Sequence, residues 1–513
     1  MRDKEFGSNI NYMSVILYSL GAAQEVTGSK HVFEIDGRPF LVDCGAFQGK
    51  WNDADEKNRD FDIAADKIES VILTHAHYDH CGLLPMLGKK GYRGSIYATP
   101  ATRDLASLIM MDSANIQAHD YAFRKKQAAK KGEKFTWEPL FNEEDVVFAS
   151  NQIVTASYER EMYIAPDVKL EFFDAGHILG SAFALVTITG QKKKKGFFRT
   201  LGEAFGKSFG EAYGADINKD KDAEEIKILF TGDLGRKNKP IIRNPATNMP
   251  APDYIMLEST YGNRLHENTT EAMDILAKVV RKAIDKRGKI IIPAFAIERT
   301  QELVYYFHLL FEQRKIPEIP IYVDSPMATN ATSIFQIHPE CYDEATHEAF
   351  LVHHKNPFGF NSLRFVQSVE ESKLLNEEDG PMIIISADGM CEAGRIVHHV
   401  YNNIEDETAT ILLVGFMGEN TLGRRLQNHE KEVRVMGEWK QVKAEIEQIN
   451  AFSAHADYSE ILEWLSEIDT SRLKKIFMVH GEPDAQKFLK EKLAKAGYKN
   501  VDIVEYGKSY PIA

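Results

Sequence analysis

Cysteine is scarce in this chain: four residues in 513 (Cys44, Cys81, Cys341 and Cys391), at wide and irregular spacing. That spacing excludes a disulfide framework and a CxxC zinc knuckle, and it fits a reducing cytoplasm. Long apolar runs are also missing, so nothing reaches the roughly 20 residues that span a bilayer. The apolar stretch Ser14 to Leu20 is too short for a secretory signal, lacks a cationic leader and a cleavage site, and reads as a first strand. No excess of positive charge exists either. With 62 Lys+Arg against 76 Asp+Glu the net charge is −14, which argues against a protein that coats nucleic acid non-specifically. At 513 residues the chain exceeds what one core supports, so two domains are expected.

Residues 14 to about 100 read as short strands separated by turns. A hairpin is expected around Asp36-Gly37, and the β-branched run Ser70 to Thr74 stops at His75. Residues 101–131 carry helical periodicity without Gly or Pro and end in a basic tail, Arg124, Lys125, Lys126, Lys130 and Lys131. A strand-rich region follows over about 146–190. Residues 191–225, with Lys192 to Lys195 and Phe197-Phe198, break the pattern. The stretch reads as an inserted loop whose basic–aromatic mix is either solvated or able to meet a single strand. The strand Ile226 to Phe230 then delivers Asp233. From about 265 to 435 helices alternate with apolar strands, which predicts a parallel α/β sheet, and the last 70 or so residues form a βαβ-like piece containing His480.

The densest chemical signal is Thr74-His75-Ala76-His77-Tyr78-Asp79-His80. Four ligand-type side chains in six residues are useful only on an irregular loop, which can aim His75 and His77 at one metal ion and Asp79 and His80 at a neighbour. Imidazole with carboxylate suits a borderline ion such as zinc. His177 follows Ala175-Gly176, and Asp233 follows Thr231-Gly232, both in glycine-rich turns.

HxHxDH followed by such a His and such an Asp resembles the metallo-β-lactamase superfamily. Glu258-Ser259-Thr260-Tyr261-Gly262, Pro293 to Glu302, Phe452-Ser453-Ala454-His455 and Val479-His480-Gly481-Glu482 extend the resemblance to its β-CASP group, which includes the mRNA 3′-end cleavage endonuclease and RNase J. The resemblance implies an α/β fold. In it a metallo-β-lactamase αββα sandwich (14–264 and 436–513) is split by an inserted β-CASP domain (265–435) with a mainly parallel sheet. It also implies two Zn2+ per chain, with Mn2+ as the alternative. His75, His77 and His177 would hold the first ion, Asp79, His80 and His480 the second, and Asp233 would bridge them. Asp43, at the family's first motif, would orient these ligands from behind. His455 would be the general acid and Glu258 its orienting partner, joining Asp79 as the catalytic set. Ser259, Ser386 and Gly389 are candidates for phosphate contacts, although Asp388 puts negative charge beside the last two and these turns also read as ordinary α/β connections.

The implied activity is zinc-dependent hydrolysis of RNA phosphodiesters, endonucleolytic or 5′-exonucleolytic, on single-stranded RNA. A homodimer is compatible with the resemblance, and no membrane association is expected. Two other enzyme readings compete. A small-molecule hydrolase would need neither so large an insert nor His455. A DNA nuclease of the same group would typically carry an aliphatic residue where this chain has His480. An inactive scaffold would have lost ligand residues, and none is missing here.

Overall fold

The computed structural model describes residues 13–190, 225–266, 269–352, 356–415, 417–418 and 420–513. The basic–aromatic stretch around Lys192 to Phe198 lies outside the described residues. Alternation along short strands builds the core. In the strand His31–Ile35, Phe33 points to one face and Val32 to the other. In Arg38–Val42, Phe40 and Val42 share the first face and Leu41 takes the second. That period of two splits every strand between two apolar layers.

Two seven-stranded sheets result. One runs, edge to edge, through Tyr510–Pro511, Val15–Ser19, His31–Ile35, Arg38–Val42, Val71–Ile72, Ile96–Ala98 and Ile153–Thr155. The other runs through Val501–Ile503, Lys475–Val479, Tyr254–Glu258, Glu225–Phe230, Ala182–Thr189, Val168–Asp174 and Met162–Ala165. Their inner faces meet through Phe33, Phe40, Phe172 and Phe230, with Phe33 and Phe40 stacked at 4.7 Å. Helices cover both outer faces. Leu84–Lys89, Pro100–Lys131 and Glu143–Asn151 pack on the first sheet, and Tyr458–Glu467 and Pro483–Lys495 on the second. The architecture is therefore the expected αββα sandwich. Glu143–Asn151 is a helix inside the region read as strand-rich, started by an Asn142–Asp145 capping box.

The insert has its own six-stranded sheet, ordered Leu363–Phe365, Ile321–Val323, Met382–Ser386, Lys289–Pro293, Thr410–Leu413 and Glu445–Gln448, with every pair parallel. The hairpin Glu432–Val435/Glu438–Gln441 straddles residue 435, where the insert is expected to end, and the edge strand Glu445–Gln448 carries its sheet beyond that point. Among the described residues no helix is long and apolar enough to cross a membrane.

The strands that matter for chemistry end on one side. Glu225–Phe230, Tyr254–Glu258 and Lys475–Val479 are mutually parallel neighbours, so their C-terminal ends carry Asp233, Glu258 and His480 to one rim. Arg38–Val42 and Val71–Ile72, also parallel, bring Asp43 and the loop from Thr74 to the facing rim. Gly45 is needed there: a Cβ on it would lie 1.6 Å from the Asp79 carbonyl oxygen. We expect Gly45→Ala to cost about 2 kcal/mol or more, read as a lower midpoint of denaturant unfolding; an unchanged midpoint would mean that this close approach is not required.

Candidate metal centre and catalytic site

The structure gathers seven side chains into two adjoining clusters. His75, His77, His177 and Asp233 form one, and Asp79, His80 and His480 the other. His77 Nδ1 faces His75 Nε2 at 3.1 Å and His177 Nε2 at 3.2 Å. Asp233 lies between the clusters. Its Oδ2 is 3.4 Å from both His75 Nε2 and His177 Nε2, and its Oδ1 is 3.3 Å from His80 Nε2. His480 Nε2 stands 3.3 Å from His80 Nε2 and 3.4 Å from Asp79 Oδ2.

Local sequence explains each placement. The short helix Tyr78–Cys81 carries Asp79 and His80, and it leaves the His80 ring 4.0 Å from that of His75. The His177 loop is held by its own ends: the Gly176 N–H donates to Asp174, and the His177 N–H donates to Ser181 Oγ. Asp43 and His480 both adopt left-handed backbone conformations (φ 63° and 50°), which non-glycine residues hold only where the surroundings over-determine them. For His480 those surroundings are its N–H donating to the Ala22 carbonyl and its Nδ1 paired with Thr260 Oγ1 at 3.0 Å. Asp43 accepts from the Thr74 N–H and hydroxyl and pairs with His80 Nδ1 at 2.7 Å, so it fixes that imidazole from behind.

Protonation suits cation binding. Burial, reinforced by neighbouring imidazoles, lowers the pKa of His75 and of His177, and that of His77 to about 3. These rings therefore present lone pairs. Burial opposes charge on Asp79 and Asp233, but the histidines around them outweigh it and hold both carboxyls well below the usual range. His80 goes the other way: burial opposes its charge, and Asp233 and Asp43 overcome that and raise it. Buried carboxylates beside converging nitrogens are costly unless a cation compensates. Asp233 Oδ1 is buried and accepts no hydrogen bond. The nitrogen-and-oxygen donor set fits a borderline divalent ion.

His455 adjoins the first cluster, its ring 4.6 Å from that of His177 and its Nδ1 3.8 Å from Asp233 Oδ2. Its Nδ1 pairs with Glu258 Oε1 at 3.1 Å. The fully buried Glu258 is held in turn by the Leu234 and Thr260 N–H groups. Burial opposes the imidazolium, yet Glu258 and Asp233 raise its pKa to about 9. The chain at His455 is pinned to the Asp233 turn, bridging Gly235 and donating from the Ala456 N–H to the Leu234 carbonyl. His455 and Asp79 keep 20% and 17% of their side chains exposed whereas Asp233 keeps 1%, so solvent reaches the centre past the first two.

Not every candidate arrives. Ser259 is buried, donates its hydroxyl to the Val479 carbonyl and accepts from Gln486. Ser386 is buried and donates to the Asp324 carbonyl. Both hydroxyls brace backbone, so neither is presented to a phosphate as expected. Gly389 lies against Phe295 in the insert.

Two contributors escape a motif search: Ser29, whose Oγ is 3.3 Å from His80 Nε2, and His266, whose Nε2 pairs with the His455 carbonyl at 2.9 Å. His266 follows the Glu258 to Gly262 motif by four residues, and that proximity was the available signal. A further acidic group, His266, Asp457 and Glu460, is committed to structure. Asp457 caps the helix Tyr458–Glu467, and Glu460 pairs with Arg236.

Comparison with known proteins identifies the domains of the chain. Family models match the metallo-beta-lactamase superfamily over residues 28–148, the Beta-Casp domain over 300–426, and the Zn-dependent metallo-hydrolase RNA specificity domain over 439–504. The chain is 31% identical to Ribonuclease TTHA0252 of Thermus thermophilus, covering 96% of this chain and 99% of that one. It is 29% identical to Transcription termination factor FttA of Methanosarcina mazei, covering 91% of this chain and 67% of the relative. A crystal structure of a protein of unknown function from Enterococcus faecalis shares the fold, with TM-score 0.51 at 10% identity over 97% of this chain and all of that one.

Asp43→Asn should weaken metal retention about 10–100-fold through the loosened His80, with folding intact. Competition with a chromogenic chelator measures this, and unaltered retention would remove Asp43 from the site.

Proposed function

Starting from the premise that this chain belongs to the β-CASP family of metallo-β-lactamase-fold, metal-dependent nucleases, we propose that it is a ribonuclease. It hydrolyses phosphodiester bonds of single-stranded RNA at a centre of two zinc ions, with manganese as the alternative. His75, His77 and His177 would hold one ion, Asp79, His80 and His480 the other, and Asp233 both. Bound there, the ions supply Lewis acidity toward phosphate oxygens and lower the pKa of a water nucleophile.

The observation that carries the reading is the His455–Glu258 pair beside the ligand clusters. With Nδ1 directed at Glu258, the proton that His455 can transfer is on Nε2. A departing ribose oxygen needs that proton, because an alkoxide is a poor leaving group in water. Glu258, fixed by two backbone N–H groups, holds the ring and favours its charged form before transfer. The pinned backbone at Gly235 and Ala456 fixes the separation between acid and ligands. Asp79, the more exposed of the two cluster carboxylates, stands where an attacking water enters. RNA as the polymer is supported by the relative named a ribonuclease, by the RNA specificity domain matched over 439–504, and by His480 at the last motif.

Purified protein incubated with 5′-labelled and 3′-labelled RNA, and with DNA of the same sequence, tests the proposal. Cleavage of RNA should stop with EDTA, and His455→Ala should lower kcat by about 10²–10⁴ with little change in KM. Internal fragments would mark endonucleolytic attack, and mononucleotides from the 5′ end the exonucleolytic mode. DNA cut as fast as RNA, or neither cut by the metal-loaded protein, would overturn it.

A further inference from the structure

The long helix Pro100–Lys131 starts beside the centre and ends far from it. At Ser113 it touches the metal loop itself, where the Ser113 hydroxyl donates to the Tyr78 phenol oxygen at 3.0 Å. Eleven residues later, about 16 Å along the axis, Arg124 lies over the ring of Trp51 at 3.9 Å and of Trp137 at 5.3 Å. Trp51 and Trp137 are 5.9 Å apart, and Tyr121 meets Phe135 at 5.5 Å. Trp51 keeps 44% of its surface exposed, and Phe123, on the outward side of the helix, keeps 63%. Lys125, Lys126, Lys130, Lys131 and Lys134 lie in the same stretch, all exposed, against the exposed acids Asp120 and Glu133, with Asp53, Glu56 and Glu138 on the neighbouring segments. Asp55, the carboxylate beneath the stack, is occupied by Arg59 and the Trp137 N–H.

The chain as a whole is acidic, with a net charge of −14, and this stretch runs against that balance. Favourable interaction with the helix dipole explains Lys130 and Lys131 in the last turn. It does not explain exposed Trp51 and Phe123 beside the four further cations Arg124, Lys125, Lys126 and Lys134. Cations interleaved with exposed aromatic faces are how proteins hold a single strand without reading its sequence: the bases stack and the lysines neutralise phosphates.

We propose that the distal half of this helix, with Trp51, is a second RNA-binding surface that holds the strand outside the catalytic centre and leads it along the helix toward Tyr78. The inference rests on the ribonuclease reading for the identity of the strand. On it, long RNA gains affinity that a fragment filling only the centre cannot gain.

The test is fluorescence anisotropy with labelled, unstructured RNA of about 30 and about 6 nucleotides, in a His455→Ala background that keeps the strand intact. Lys125, Lys126, Lys130 and Lys131 are replaced together by Ala, which preserves helix propensity. A second variant carries Trp51→Ala and Phe123→Ala. The control replaces exposed Lys487, Lys490, Lys495 and Lys499 for the same change in net charge. The lysine variant should raise Kd for the long strand about tenfold more than for the short one and reduce its salt slope by about 3. The aromatic variant should weaken the long strand without moving the slope, and the control should match the parent. Equal losses on both lengths, or an unchanged slope in the lysine variant, would overturn the proposal and leave the patch to a partner other than RNA. Absence of RNA cleavage by the unsubstituted chain would instead count against the nuclease reading, and the binding comparison would still decide this one.

Discussion

The negative charge of Asp233 is buried to 1% side-chain exposure among imidazoles from four separate chain segments, the loop of His75 and His80 and those of His177, His455 and His480. Taking a carboxylate out of water costs several kcal/mol even after relaxation, so it persists only where positive charge compensates it. Much of the surrounding architecture follows. Three parallel strands must end at the same level to bring Asp233, Glu258 and His480 together. The facing sheet must supply its histidines from an irregular loop, because a regular strand would send alternate side chains to opposite faces. Glycines stand where these loops touch: a Cβ on Gly235 would lie 1.8 Å from the Gly176 carbonyl oxygen, and one on Gly481 would lie 2.4 Å from Ser259 Oγ.

The same carboxylate links the centre to His455, the proposed acid. His455 reaches the rim on a segment that follows the whole insert, more than 200 residues after Asp233, yet its backbone is tied to the Asp233 turn. Closing the sandwich after the insert therefore also brings His455 beside the ligand clusters. The strands Lys475–Val479 and Tyr510–Pro511 complete one sheet each, and His480 comes with the first. His266 and Asp457 add a second tie, since His266 pairs with the His455 carbonyl and its own N–H donates to Asp457.

What the sequence made legible was whatever chemistry compresses into a short stretch. Four ligand types in six residues after a β-branched run have few other uses, and the Asp36-Gly37 turn appears as the hairpin its residues require, with φ of 48° and 81°. Asp233 shows in the sequence only as an aspartate in a glycine-rich turn at a strand end, and the roles of His455 and His480 come from the resemblance alone. Two kinds of feature were not legible. Glu445–Gln448 lacks an apolar alternation because it is a half-buried edge strand, so the sequence does not announce that a strand beyond residue 435 joins the insert's sheet. Ser259 and Ser386 were candidates because their segments resemble family motifs; here their hydroxyls donate to the Val479 and Asp324 carbonyls. Whether a hydroxyl is spent depends on carbonyls distant in sequence, and no local pattern encodes them.

Net negative charge and an RNA substrate are compatible because charge acts over a limited range. At physiological ionic strength exposed charges are screened beyond about 8 Å, so acidic groups on remote faces scarcely affect a strand at the catalytic rim. Local composition decides instead. At the centre the chain itself supplies carboxylates, which would repel phosphate, and divalent cations are what invert that sign. Along the helix beyond Ser113 the chain supplies lysines and aromatics directly. A polyanion would then meet fixed cations on the approach and bound ions at the point of cleavage. Affinity for the strand thus need not be purchased by contacts at the reacting phosphate, where tight ground-state binding would raise the barrier to hydrolysis rather than lower it.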